Sequence, residues 1–163
     1  MKHMPIVWKR LVKGGETCTR CGNTGRELES AVAALAASLR PLGIEPVLET
    51  QEIDEQAFKA NPSESNRVWI AGKSIEDWLG ANVGRSRCCS VCGESECRTL
   101  EVGNRTYETI PQEQFIQAAL MAASQMMTSV PPQEKIPTPC CSGVPGTDLC
   151  PPAATQAKGS SCP

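Results

Sequence analysis

"IVWKRLVKGGETCTRCGNTGRELESAVAAL", residues 6–35, sets a Cys18-x-x-Cys21-Gly22 knuckle between an apolar run and a helical one. Ile6 to Val12 is β-branched with rough alternation and reads as a strand. Beyond the cysteines, Leu28, Val32, Leu35 and Leu39 recur at spacings of three and four, the apolar stripe of a helix. Thr24 and Glu27 have capping-box spacing, which predicts a helix start just after the cysteine pair. Pro41 and Gly43 end that helix.

Working outward, Ile44 to Ile53 reads as a second strand, with Pro46 placing it at an edge or delaying its start. Residues 54–61 form a short helix. Arg67 to Ala71 is a third strand and leads through Gly72 into two turns of helix capped by Ser74. Arg98 to Val102 and Arg105 to Thr109 flank Gly103 and Asn104, a hairpin signal. Pro111 suits the first turn of a last helix with Phe115, Ile116, Ala119, Leu120 and Ala123 as its buried face. Trp8, Trp69 and Trp78 fall on these elements and read as core, and Met121, Met126 and Met127 read as packing residues.

From Thr128 to Pro163 there are eight prolines, four cysteines and no aromatic residue, too little apolar surface to offset the entropy of ordering. The expected organisation is an α/β domain over residues 1–127, with a Cys-rich insertion at 84–98, and a disordered Pro/Cys-rich tail at 128–163. A net charge of -2 and 4% aromatic residues give no basic, ring-bearing surface for nucleic acid. No run approaches the roughly 18 apolar residues of a membrane span, and "IVWKRLV" is too short and too charged for a signal-peptide core. The expected compartment is the cytoplasm, where ten cysteines point to metal binding or thiol chemistry rather than to a disulfide framework.

The order strand, C-x-x-C, helix, strand, helix, strand, strand, helix resembles the thioredoxin-like fold, a small mixed four-stranded sheet flanked by helices. More narrowly, "VWIAGKSIEDWLG", "CCSVCGESECR" and "YETIP" resemble an uncharacterised bacterial thioredoxin-like family catalogued as a domain of unknown function, over residues 5–124. That resemblance implies a fold and leaves the activity open. In the general thioredoxin pattern a cis-proline precedes the third strand and faces the cysteine pair. Here "SESNRVWI" offers Ser65 or Asn66 instead, for which trans geometry is expected.

Two chemistries compete for the cysteines. At a helix N-terminus, with six Lys or Arg among residues 1–26 against Glu16 alone, Cys18 would be an attacking thiolate and Cys21 its resolving partner. A thiol reductant would then be a partner. Cys18, Cys21, Cys89 and Cys92 also have the form of paired metal knuckles. In a thioredoxin-like sheet, however, the third strand runs antiparallel to the first. The chain leaving it therefore starts at the end away from Cys18, and the short helix returns it only part of the way. The expected principal metal site is accordingly local: Cys88, Cys89, Cys92 and Cys97, with Arg85, Arg87 and Arg98 offsetting its charge. Three sulfurs suffice for arsenite, and four suit zinc or iron.

In the tail, Cys140, Cys141 and Cys150 resemble the cysteine pairs of arsenic metallochaperones and would be auxiliary soft-ion ligands raised in effective concentration by tethering. The leading expectation is a protein that binds soft ions of the zinc, iron, arsenite or mercury class or transfers them to a metal-accepting protein. The alternatives are a thiol-disulfide oxidoreductase using Cys18 and Cys21, and a protein whose cysteines form structural disulfides. His3 is the only histidine, so Cys–His catalysis has no support.

Overall fold

The computed structural model describes residues 1–88 and 92–128. Its main sheet has strand order β2-β1-β3-β4, formed by β1 (Lys2–Leu11), β2 (Ile44–Ile53), β3 (Arg67–Ile70) and the two-residue β4 (Lys73–Ser74). β1 pairs in parallel with β2, from Lys2 opposite Ile44 to Leu11 opposite Ile53, and antiparallel with β3, Ile6 opposite Ile70. The sheet is therefore mixed. Pro46 lies on the edge strand β2, where its missing N–H costs least.

Alternation along β1 buries Met4, Ile6 and Trp8 on one face. Helix α1 (Thr19–Leu39) covers that face with Leu28, Ala31, Leu35 and Leu39, and α4 (Gln112–Thr128) packs beside it. A Cβ at Gly25 would meet the Trp8 ring at 2.5 Å, so the helix sits this close to the sheet only because residue 25 is glycine. Trp69 departs from the expected core. It is half-buried on the opposite face, beneath Lys9 and Arg67 at 4.9 and 4.5 Å from its ring. On α4 the buried face is Phe115, Ala118, Ala119, Ala122 and Ala123, while Leu120, expected inside, is 48% exposed.

After the short helices α2 (Glu55–Ala60) and α3 (Ile75–Leu79, capped by Ser74), the chain builds a second, antiparallel sheet. It consists of β5 (Asn82–Arg87), β6 (Glu96–Val102) and β7 (Arg105–Tyr107) in that order. The Gly103–Asn104 turn joins β6 to β7 as expected. β5 had no clear sequence signal, because "NVGRSR" carries one apolar side chain, although it pairs with β6 along its whole length. Among the described residues, no helix is long and apolar enough to cross a membrane.

Candidate functional site

The start of α1 lies earlier than Thr24. Cys18 is the N-cap, with extended backbone, and its Sγ accepts from the Cys21 N–H at 3.4 Å. Both cysteines therefore occupy the first turn, where unpaired N–H groups gather. Thr24 and Glu27 serve another helix instead. Thr24 Oγ1 accepts from the Ile110 N–H and Glu27 Oε2 from the Gln112 N–H at 2.9 Å, so they satisfy the entry to α4. The capping-box spacing is real, but its acceptors are used across the core.

Two residues in front of β3 close the floor beneath the cysteines. Ser65 Oγ accepts from the Leu11 N–H at 3.1 Å and lies 3.5 Å from Cys21 Sγ. Asn66 adopts a left-handed backbone with φ 61°, a conformation asparagine tolerates better than most residues. Its amide accepts from Trp8 Nε1 and donates to Thr24 Oγ1, each at 3.2 Å and buried.

Cys88, Cys92 and Cys97, carried by the hairpin of β5 and β6, reach this floor from the other side. β5 has six residues, and at about 3.3 Å per residue it carries the chain back roughly 20 Å, the distance that α3 alone could not cover. This overturns the expected separation of the two cysteine groups. Arg20, inside the C-x-x-C, fixes the docking. It is buried, and its guanidinium donates to the carbonyls of Arg87 at 2.8 Å and of Ser86 and Cys97 at 3.4 Å, and pairs with Glu108 at 3.0 Å. Arg98, buried on β6, pairs with Glu76 and donates to the Ser63 carbonyl at 3.1 Å. It was expected to offset thiolate charge; instead its guanidinium anchors the hairpin to neighbouring elements.

The result is one cluster. The sulfurs of Cys18, Cys88 and Cys92 lie within 4.8 Å of one another, with Cys88 to Cys18 at 3.6 Å. Cys97 is in hydrogen-bonding contact with Cys92 and Cys88, and Cys21 with Cys18. No disulfide joins the described cysteines to one another. Zn–S bonds of about 2.3 Å in a tetrahedron set their sulfurs about 3.8 Å apart, so the three sulfurs already approach the spacing that a shared thiophilic ion requires.

Protonation follows burial and contact. The hydrogen bond between Cys18 and Cys21, followed by burial, pushes the Cys18 thiol up to about 12. The same bond, with help from Ser65, draws Cys21 below its ordinary value. Burial pushes Cys97 up to about 12 and Cys92 well above its ordinary value. An ion entering here displaces protons from buried thiols.

Of the residues expected from sequence, Cys18, Cys21, Cys88, Cys92 and Cys97 gather in this cluster, while Cys89 and the tail cysteines Cys140, Cys141 and Cys150 lie outside the described residues. Arg20, Ser65 and Asn66 are the positioning residues that sequence reasoning passed over as general charge or as a missing proline.

Comparison with known proteins places residues 4–119 within the family described as a domain of unknown function, DUF2703. An uncharacterised protein of the archaeon Archaeoglobus fulgidus is 47% identical over 107 residues, covering 66% of this chain and 78% of its own length. No solved structure matches.

Proposed function

The chain belongs to the DUF2703 family, which is defined without an activity, and from its own geometry we propose that it captures or transfers a thiophilic metal or metalloid ion. The observation that carries this reading is the convergence of Cys18, Cys88 and Cys92 from two distant segments, with sulfurs within 4.8 Å. A disulfide needs two sulfurs, and a structural cross-link needs no third. Three soft ligands at one point suit a trivalent metalloid, and a fourth from Cys97 would complete a tetrahedral site for zinc or a similar ion.

A thioredoxin-like ancestry is the companion proposal. It is supported by β1 leading into a C-x-x-C at a helix start, by a parallel β1–β2 pair and by an antiparallel β3. In this reading the fold supplies the thiol pair, and the hairpin turns it from an exchange site into a coordination site. The oxidoreductase alternative needs Cys18 as an accessible thiolate, whereas Cys18 is 1% exposed, and its hydrogen bond with Cys21 and its burial push the thiol above its ordinary value.

The test is titration of reduced, metal-free protein with arsenite, cadmium or zinc under anaerobic conditions. One tightly bound equivalent per chain, with loss of at least three titratable thiols, is expected. Absence of uptake of all three ions would remove the proposal.

A further inference from the structure

Among the described residues the thiol cluster meets solvent on two sides, and the two openings differ in charge. The cavity at Cys92, about 360 Å³, has Leu11 and Phe58 in its wall and Lys13 and Lys59 beside them. Both lysines are engaged by Glu55, at 3.2 and 2.8 Å. The cavity at Cys88, about 300 Å³, is polar and is lined by Thr19, Arg20, Asn23, Arg87 and Glu108. Its carboxylate, Glu108, is already matched by Arg20. Arg87 is exposed, and its guanidinium makes no ion pair among the described residues. Cys88 is half-buried, whereas Cys18, Cys21, Cys92 and Cys97 are each 6% exposed or less. The most accessible described sulfur of the cluster thus opens into the cavity that holds the uncommitted cation.

Soft ions in thiol-containing solution travel as thiolate complexes, so loading is ligand exchange, and the departing thiol must fit beside the first protein sulfur. Resting on the function proposed above, we infer that the Cys88 cavity is a docking site for a small thiol bearing carboxylate groups that delivers the ion, with Arg87 binding a carboxylate. Arginine suits this role because its planar fork pairs with a carboxylate through two hydrogen bonds. In the exchange, the Cys88 sulfur forms a bond to the ion as the bond between ion and carrier sulfur breaks. The Cys88 proton leaves with the carrier as its thiol, and no oxidation state changes. Cys18, 3.6 Å away, is the next sulfur to engage.

The experiment compares loading rates of the full chain from cadmium complexes of mercaptosuccinate, which is anionic, and mercaptoethanol, which is neutral. Rapid desalting and metal analysis give the cadmium bound at each time. Arg87→Glu is expected to slow loading from the mercaptosuccinate complex roughly tenfold at low ionic strength, to leave the mercaptoethanol rate within about twofold, and to leave the final stoichiometry unchanged. Arg87→Lys should retain most of the wild-type rate. Equal wild-type and Arg87→Glu rates from mercaptosuccinate, or equal slowing with both carriers, would overturn the docking site alone. Failure of the wild-type chain to take up cadmium from either complex or from cadmium chloride would overturn the thiolate site, and the docking site with it.

Discussion

The helix-borne and hairpin-borne cysteines are positioned by opposite means. Cys18 and Cys21 are set by local structure, since an N-cap and the third residue of a helix share one turn whatever surrounds them. Cys97 lies on β6, and Cys88 and Cys92 lie between β5 and β6, in a hairpin that touches the helix start through long-range contacts; Arg20 reaches across 77 residues to the Cys97 carbonyl. A local motif can be read from its spacing. The approach of a separate hairpin depends on a buried arginine whose sequence neighbours say nothing about its targets.

That contrast can be broken at Arg20. Arg20→Met removes the donor to three hairpin carbonyls, of which the Cys97 carbonyl is met in a buried contact. A loss of about 3 kcal/mol in urea unfolding is expected, together with weakened ion binding. Glu108→Gln, at a side chain 60% exposed, should cost below about 1 kcal/mol. Equal effects would mean that the ion pair, rather than the carbonyl contacts, holds the hairpin.

Asn66 sharpens the comparison from the helix side. Asn66→Ala loses two buried hydrogen bonds and places alanine at φ 61°. About 2 kcal/mol of destabilisation is expected, measured as a shift in denaturation midpoint. A shift near zero would show that the link from Trp8 to Thr24 contributes nothing to the floor beneath the thiols.

Much of the fold was legible in the sequence, and the misses share a cause. β2, the Ser74 cap, the turn of the second hairpin and the apolar stripe of α1 follow from local periodicity and turn chemistry. β5 escaped because a strand with one apolar side chain leaves little side-chain pattern. Thr24 and Glu27 misled because a capping residue looks the same in sequence whether it serves its own helix or another. The candidate site was legible in its residue types and illegible in its grouping. With β5 unseen, Cys18 and Cys88 belonged to different ends of the molecule.

A smaller effect tests the protonation of the cluster. Cys18 and Cys97 are held near 12 in the folded protein, above the ordinary value of 9.0. Raised values favour the folded state while the thiols are protonated in both states. That contribution is complete below about pH 9 and is lost as pH rises toward about 12. Metal-free, reduced protein should therefore unfold at lower denaturant concentration at about pH 11 than at about pH 8. A Cys18→Ser, Cys97→Ser double variant should show a shallower decline, and an identical decline would assign the effect to other groups.

The central claim is that one ion is shared between helix and hairpin, and the affinity of Cys18→Ser measures it most directly. In competition titrations with a chromophoric chelator, Cys18→Ser is expected to bind cadmium about a hundredfold more weakly than the wild type, while Cys21→Ser stays within about threefold. Wild-type affinity in Cys18→Ser would place the ion on the hairpin cysteines alone and contradict the shared site.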